Sequence, residues 1–279
     1  ITEALSFIAK SEDPIIPVRA NIGSLEDAIA ASASAAEGVG LFRTELLYLS
    51  AKTRPTKQSQ AASYTEILKA APAGPIVVRT IDAGSDKPVP FLDMGDEENP
   101  ALGVRGYRLI ENHRDFIVDQ LESLEIAREQ SGREVWVMAP MVSTYSEAIE
   151  FAALAREAGK FKVGIMVETP SIVYQIAQLA GVLDFISVGT NDLSQYLFAA
   201  DRMNPALGAM LNPWQPALLR SLEQIAIVCQ EAGVSSGVCG ESASDPAFGV
   251  VLAGMGFQSV SSSRSQVGIV RQALSSVTK

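Results

Sequence analysis

Two cysteines and one histidine in 279 residues leave this chain short of the side chains that most often hold transition metals or carry covalent catalysis. Cys229 and Cys239 are too few for a disulfide framework, and neither lies in a paired metal-binding motif, so both are expected to be reduced thiols. The one histidine, His113, sits in the polar segment ENHRDF without a glycine-rich or serine-rich setting and reads as a surface residue. Basic residues are scarce too. Lys and Arg total 22 against 32 Asp and Glu, a net charge of −10, which argues against a nucleic-acid or acidic-membrane surface. Any anionic ligand must then be met by a local cluster of cations. No apolar run approaches the ~18 residues of a membrane span, and the opening ITEALSF resembles neither a signal nor a transit peptide, so a cytoplasmic location without membrane insertion is expected.

What the chain does have is apolar residues, 47% of the total, arranged in a rhythm. Short apolar or β-branched runs alternate with longer helical patterns, the mark of a parallel sheet wrapped by helices. Eight such runs stand out: 15–21, 38–44, 75–81, 134–140, 162–168, 184–190, 235–241 and 258–264. Helix candidates between them include SLEDAIAASASAA, SEAIEFAALAREAG, SIVYQIAQLAG, PALLRSLEQIAIVCQEAG and SQVGIVRQALSSV, several opening on Ser or Pro and closing on Gly. Eight strands at this spacing predict a (β/α)₈ barrel, with an open doubly wound sheet as the alternative. Two longer stretches, 46–74 and 82–133, are expected to be extended loops after the second and third strands.

Charged and polar residues recur at one place, the C-terminal end of an apolar run. Arg43, Arg79, Glu168, Asn191 with Asp192, and Cys239 with Glu241 all sit there, so parallel strands would bring them to one mouth. Glu168 and Asp192 close successive runs and together suit a Mg²⁺ ion; the plainer alternatives are an ion pair for Glu168 and an N-cap for Asp192. Arg43, Arg79, Arg105 and Arg202 read as a clamp for a small polyanion, since guanidinium forks bind phosphate and carboxylate in bidentate fashion. Arg19 and Arg108 are assigned to structure. Cys239, between glycines in GVCGES, is expected to have little side-chain cover and to serve as a general acid, against the commoner fate of a buried small hydrophobe. Cys229, inside an apolar helical pattern, is assigned to the core.

With those residues in view, the chain resembles the C-terminal phosphoenolpyruvate (PEP)-binding domain of enzyme I of the bacterial sugar phosphotransferase system. GVGLFRTE, VVRTIDAGSDK, EENPALGVRGYR, MAPMV, VGIMVETP, DFISVGTNDLSQY, DRMNP, NPWQPALL and VCGE occur in that family's order and spacing. The resemblance implies that Arg43, Arg79, Arg105 and Arg202 hold phosphate and carboxylate, that Asn191 and Asp192 contact substrate, that Glu168 and Asp192 hold Mg²⁺, and that Cys239 protonates the enolate carbon as pyruvate forms. It further implies one barrel domain over 1–279, cut from a longer enzyme, together with a homodimer and two partners: a histidine domain and a phosphocarrier protein. His113 lacks the context of the phosphoryl-accepting histidine. Two departures are visible: Gly84 and Ser85 stand where the family often has two glycines, and GESASD follows the cysteine where the family commonly reads Gly-Glu-Leu-Ala-Gly-Asp. The nearest alternative is the equivalent barrel of pyruvate phosphate dikinase or PEP synthase. A Mg²⁺-dependent enolate lyase of the aldolase type would use Glu168 and Asp192 but would not need four arginines. A non-catalytic dimerisation or sensing module is the alternative from outside enzymology.

Overall fold

The computed structural model describes residues 13–49, 51–85 and 87–277. Eight parallel strands close into a barrel in sequence order: β1 (Val18–Ile22), β2 (Val39–Arg43), β3 (Ile76–Arg79), β4 (Val135–Ala139), β5 (Lys162–Val167), β6 (Phe185–Val188), β7 (Ser235–Val238) and β8 (Ser259–Ser263). Closure is made by β8 pairing with β1, Val18 opposite Val260 and Asn21 opposite Ser263. Seven strands fall inside the runs expected from the sequence, and β1 passes the end of its own, 15–21, by one residue, Ile22. They are legible because a parallel strand covered by helices outside and side chains inside is buried on both faces and reads as continuous apolar sequence. In β4 every residue is buried; Val135, Val137 and Ala139 join the outer core, while Trp136 and Met138 join a separate inner cluster with Leu41, Val77, Met166, Phe185 and Cys239.

The helices are α1 (Leu25–Ser32), α2 (Lys57–Ala70), α3 (Ile110–Ser131), α4 (Tyr145–Ala158), α5 (Pro170–Val173), α6 (Thr190–Leu197), α7 (Pro216–Ala232), α8 (Pro246–Met255) and α9 (Val267–Ser275). Their ends follow capping chemistry. Ser24 accepts from Asp27 N ahead of α1, Thr144 and Glu147 form a reciprocal capping box ahead of α4, and Gly233, at φ +67°, ends α7. The helix expected over SIVYQIAQLAG is broken. It forms the single turn α5 and then a 3₁₀ turn, Ile176–Leu179. Gln175 anchors the break, since its amide bonds Ser143 O and Ser171 O and its oxygen accepts from Tyr145 N.

The two stretches expected as loops are corrected by the structure. Residues 46–74 contain the 14-residue α2 and residues 82–133 contain the 22-residue α3, and these two helices pack on each other. Their apolar stripe is interrupted by polar residues that are nonetheless buried: Gln60 and Thr65 on α2, Gln120 and Ser123 on α3. Gln120 satisfies its amide inside the core, donating to Thr44 Oγ1 at 3.1 Å and Tyr64 Oη at 3.0 Å and accepting from Ile81 N at 2.9 Å. Buried polar groups with partners carry little penalty, but they disguise a helix face as loop. His113 lies at a kink inside α3, half-buried, with its ring bonded to Asp93 O at 2.9 Å.

Candidate active site at the C-terminal mouth of the barrel

Because all eight strands run the same way, their last residues and the segments that follow open on one face, and a cleft of about 1120 Å³ lies there. Arg43, Arg79, Glu168, Asn191, Asp192, Arg202 and Cys239 line it. Arg105, from the segment after β3, lies directly behind that wall, 2% exposed, and reaches Asp192. The expected site residues are thus brought together.

Ion pairing holds the arginines. Arg79 Nη2 lies 2.5 Å from Glu45 Oε1 and its Nη1 lies 3.0 Å from Asp82 Oδ2. Arg105 meets Asp82 and Asp192, each at 3.2 Å, and Arg202 meets the other oxygen of Asp192, also at 3.2 Å. Asp82, 1% exposed, therefore joins Arg79 to Arg105, and Asp192 joins Arg105 to Arg202. Burial favours the neutral form of Arg79 and Arg105, but the facing carboxylates outweigh it and push both pKa values upward. The same balance acts on Asp82: burial raises it, Arg79 and Arg105 overcome that, and it falls to about 2. Arg43 is the outlier. It stands exposed on the rim with no ion pair among the described residues.

Both plain alternatives for the two carboxylates are excluded by the geometry. The N-cap of α6 is Gly189, while Asp192 is a buried residue of the first turn whose oxygens face arginines. Glu168 makes no ion pair among the described residues. One oxygen, Oε1, accepts from Met141 N at 2.7 Å, and the other, Oε2, is buried with no partner. Burial first, then the nearby charges of Asp192 and Asp82, raise the Glu168 carboxyl to about 8. A lone buried carboxyl with a free oxygen is one that a proton or a cation completes.

Asn191 Oδ1 accepts from Glu241 N at 3.0 Å, which ties the end of β6 to the segment after β7 and leaves its amide nitrogen free of protein partners among the described residues. Cys239 corrects one expectation. Its glycine neighbours offer no cover, yet the facing strands do: the thiol is 3% exposed, packed with Met138, Met166 and Leu41. Burial pushes it up to about 11, with Arg79 and Arg43 pulling the other way, so it stays protonated at neutral pH. Cys229 is in the core, as expected. Arg19 belongs to the opposite end of the barrel and Arg108 braces the loop after β3, bonding Leu102 O and Gly103 O.

Sequence reasoning missed Glu45 and Asp82, the carboxylates that orient the clamp. The available signal was their spacing: each follows a strand-end arginine, in FRTE and RTID. Ser85, noted as a departure, donates to Glu97 Oε2 at 3.2 Å across its loop, while Asp86 lies outside the described residues. Ser242, the other departure, hydrogen-bonds Thr190 Oγ1 at 2.7 Å, closing the rim between β6 and β7.

Comparison with known proteins gives the family. Residues 7–279 match the family described as PEP-utilising enzyme, PEP-binding domain. The chain belongs to that family. A phosphoenolpyruvate-protein phosphotransferase of Streptomyces coelicolor is 45% identical over 272 residues, covering 97% of this chain and 49% of that protein. A protein of the same description from Haloferax volcanii is 39% identical over 93% of this chain and 48% of its own length. Multiphosphoryl transfer protein 1 of Escherichia coli K12 is 37% identical over 98% of this chain and 34% of its own. The chain thus spans half or less of the length of these relatives. Among solved structures, an HpcH/HpaI aldolase/citrate lyase family protein from Burkholderia cenocepacia superposes over 97% of this chain and 96% of its own, at a TM-score of 0.55 and 14% identity, which speaks for the fold alone. No helix among the described residues is long and apolar enough to cross a membrane.

Proposed function

We propose that this chain is the PEP-binding part of a PEP-protein phosphotransferase: it binds PEP with Mg²⁺, yields the phosphoryl group to a histidine on another domain and releases pyruvate. The observation that carries the reading is Cys239, a thiol held protonated, between an arginine clamp and a carboxyl with a free oxygen. A polyanion site alone needs no acid. A site that must return a proton to an enolate carbon does.

The residues fit the metal. Two hard carboxylates suit Mg²⁺, which keeps several waters and takes one or two protein carboxylates. Glu168 contributes an unpartnered oxygen, and each Asp192 oxygen carries one arginine contact and retains a lone pair. Among the described residues no group of three His, Cys, Asp or Glu stands ready to hold a metal, so substrate oxygens and water would supply the rest of the shell. Bound Mg²⁺ would neutralise charge on the phosphoryl oxygens.

The chain's own residues do the rest. Arg79, Arg105 and Arg202 are held by Glu45, Asp82 and Asp192 before substrate arrives, so little reorganisation is left for the moment of reaction. Arg43, unpaired on the rim, is free to close on the phosphoryl or carboxylate group, and Asn191 offers its amide. When the P–O bond breaks, its electrons pass to the enolate oxygen. Protonation of the methylene carbon by Cys239 Sγ then gives pyruvate and a thiolate that recovers its proton from solvent. With this reading go a histidine domain and phosphocarrier as partners, a homodimer, a place in sugar transport and a cytoplasmic setting; the greater length of the relatives and the printed name of the Escherichia coli protein support the first of these.

Calorimetric titration with PEP, with and without Mg²⁺, tests the reading. Binding that requires the metal is expected, and no binding in either condition sinks it. Replacing Cys239 by Ala should leave PEP affinity in place while cutting pyruvate formation, measured with a supplied histidine domain as phosphoryl acceptor, by roughly 10²- to 10⁴-fold. Unchanged pyruvate formation would remove Cys239 from the chemistry.

A further inference from the structure

The segment after β4 holds a residue in an unusual conformation. Met141, fully buried, has φ +60°, a left-handed backbone that a non-glycine residue adopts only when its surroundings impose it. The surroundings are visible on both sides. On one side is the segment after β3: Tyr107 N donates to Pro140 O at 3.1 Å, and Arg108 donates to Ser143 Oγ at 3.2 Å, which in turn donates to Met141 O at 3.1 Å. Gly106, itself at φ +59°, sits against the turn so closely that a Cβ would lie 2.9 Å from Met141 Cβ and Cγ. On the other side is the end of β5: Met141 N donates to Glu168 Oε1 at 2.7 Å and Thr169 Oγ1 donates to Val142 O at 2.9 Å. Space around the second Glu168 oxygen is kept by Gly189, whose absent Cβ would stand 2.7 Å from Oε2.

We infer that the turn 140–143, seated on Gly106, is a positioning device that grips Glu168 by one oxygen, leaves the other open, and sets it in register with Arg105. None of residues 140–143 lines the cleft. The turn acts through the carboxylate it binds and through the Arg105–Gly106–Tyr107 segment packed against it, so the metal-side and anion-side ligands are placed by one element. The left-handed turn at Met141 and the Met141 N–H bond to Glu168 occur in one short segment held from both sides. Arg108, assigned from the sequence to structure, serves this turn. The inference rests on the reading of Glu168 as a cation ligand and adds what fixes its geometry.

Two probes keep the inference and that reading apart: Mn²⁺ alone, followed by electron paramagnetic resonance, and PEP with Mg²⁺, followed by calorimetry. Gly106→Ala should drive its Cβ into Met141, and we expect Mn²⁺ affinity to fall about tenfold, the scale on which groups orienting a metal ligand act. The double variant Gly106→Ala with Met141→Gly removes the collision and suits the left-handed φ, so affinity should return to within about threefold of the parent. Melting temperatures, recorded alongside, separate positioning from general destabilisation: the loss in Gly106→Ala should be present well below its own melting transition, where the protein is folded. An unchanged Gly106→Ala protein, or a loss that the double variant does not recover, overturns the inference. Should Gly106→Ala not fold, Thr169→Val, which cuts the turn from β5, decides: about threefold weaker Mn²⁺ binding at a parental melting temperature is expected on the same principle, and unchanged binding overturns it. If the parent binds Mn²⁺ but not PEP, the proposed function fails while these variants still test the turn; if it binds neither, both fall.

Discussion

Arginines stand at both ends of this barrel, and the two ends treat them differently. At the C-terminal mouth Arg79 and Arg105 face Glu45, Asp82 and Asp192 within ion-pair distance, and their pKa values rise. At the N-terminal end Arg19 lies over the Trp136 ring, 5.1 Å from its centroid, with a buried Nε that has no partner. Burial lowers its pKa, and Glu134 and Glu37 offset this only from a distance. Glu134 is engaged elsewhere, accepting from Trp136 Nε1 at 2.8 Å and pairing with Lys162 at 3.3 Å. Stacking fills space with a cation that needs no fixed direction. Pairing aims a guanidinium, and only the mouth has something to aim at.

The hardest blow to that contrast is removal of Asp82. Asp82→Ala leaves Arg79 without one partner and Arg105 without another, in a setting where neither reaches bulk water, and breaking a buried ion pair from one side costs about 3–5 kcal/mol. Denaturant unfolding should show a loss on that scale together with loss of PEP affinity. A loss under about 1 kcal/mol would place the pair with ordinary surface ion pairs and undo the claim that the mouth is held by charge.

The mouth also contains its own contrast, two buried carboxyls displaced in opposite directions. Glu168 is raised from 4.5 to about 8, so the folded state holds its proton more tightly than the unfolded chain; the resulting stability is complete below about pH 4.5 and is lost as pH rises to about 8. Asp82 is lowered from 3.8 to about 2, so its contribution is present above about pH 3.8 and is lost as pH falls toward 2. Without divalent cation, stability should therefore fall across the window from about 4.5 to about 8, and Glu168→Gln should flatten that slope while leaving the acid limb in place. An unaltered slope in Glu168→Gln would assign it to other groups. Added Mg²⁺ should flatten it as well, since a bound cation stabilises the ionised carboxylate.

Much of this was legible in sequence, for a topological reason. Once eight parallel strands are inferred, whatever follows each apolar run must share a mouth, so Arg43, Arg79, Glu168, Asp192 and Cys239 could be grouped without knowing a single distance. Even the serine-rich β7 and β8 were found, because their spacing kept the rhythm where their composition did not. What stayed hidden depends on contacts between distant segments. Asp82 reads as a turn residue until Arg105 folds back onto it. The cover over Cys239 comes from other strands, and nothing in MAPMV announces that its second Met is left-handed. The helices α2 and α3 were hidden because their buried faces carry glutamine, threonine and serine.

The smallest expected effect lies at the far end. Arg19→Met keeps most of the side chain's contact with Trp136 and gives up only the cation over the ring, an interaction of about 0.5–1 kcal/mol where the charge remains partly hydrated. Removing a guanidinium whose Nε is buried without a partner also lifts a desolvation cost, so the net change in unfolding free energy should stay within about 1 kcal/mol of zero. PEP affinity measured with Mg²⁺ should not move, because Arg19 makes no contact with the ion pairs of the mouth and the inner cluster of Leu41, Val77, Met138 and Met166 lies between. A several-fold change in affinity from this substitution would mean that the barrel interior transmits a disturbance from one end to the other, and the division of labour between stacked and paired arginines would have to be given up.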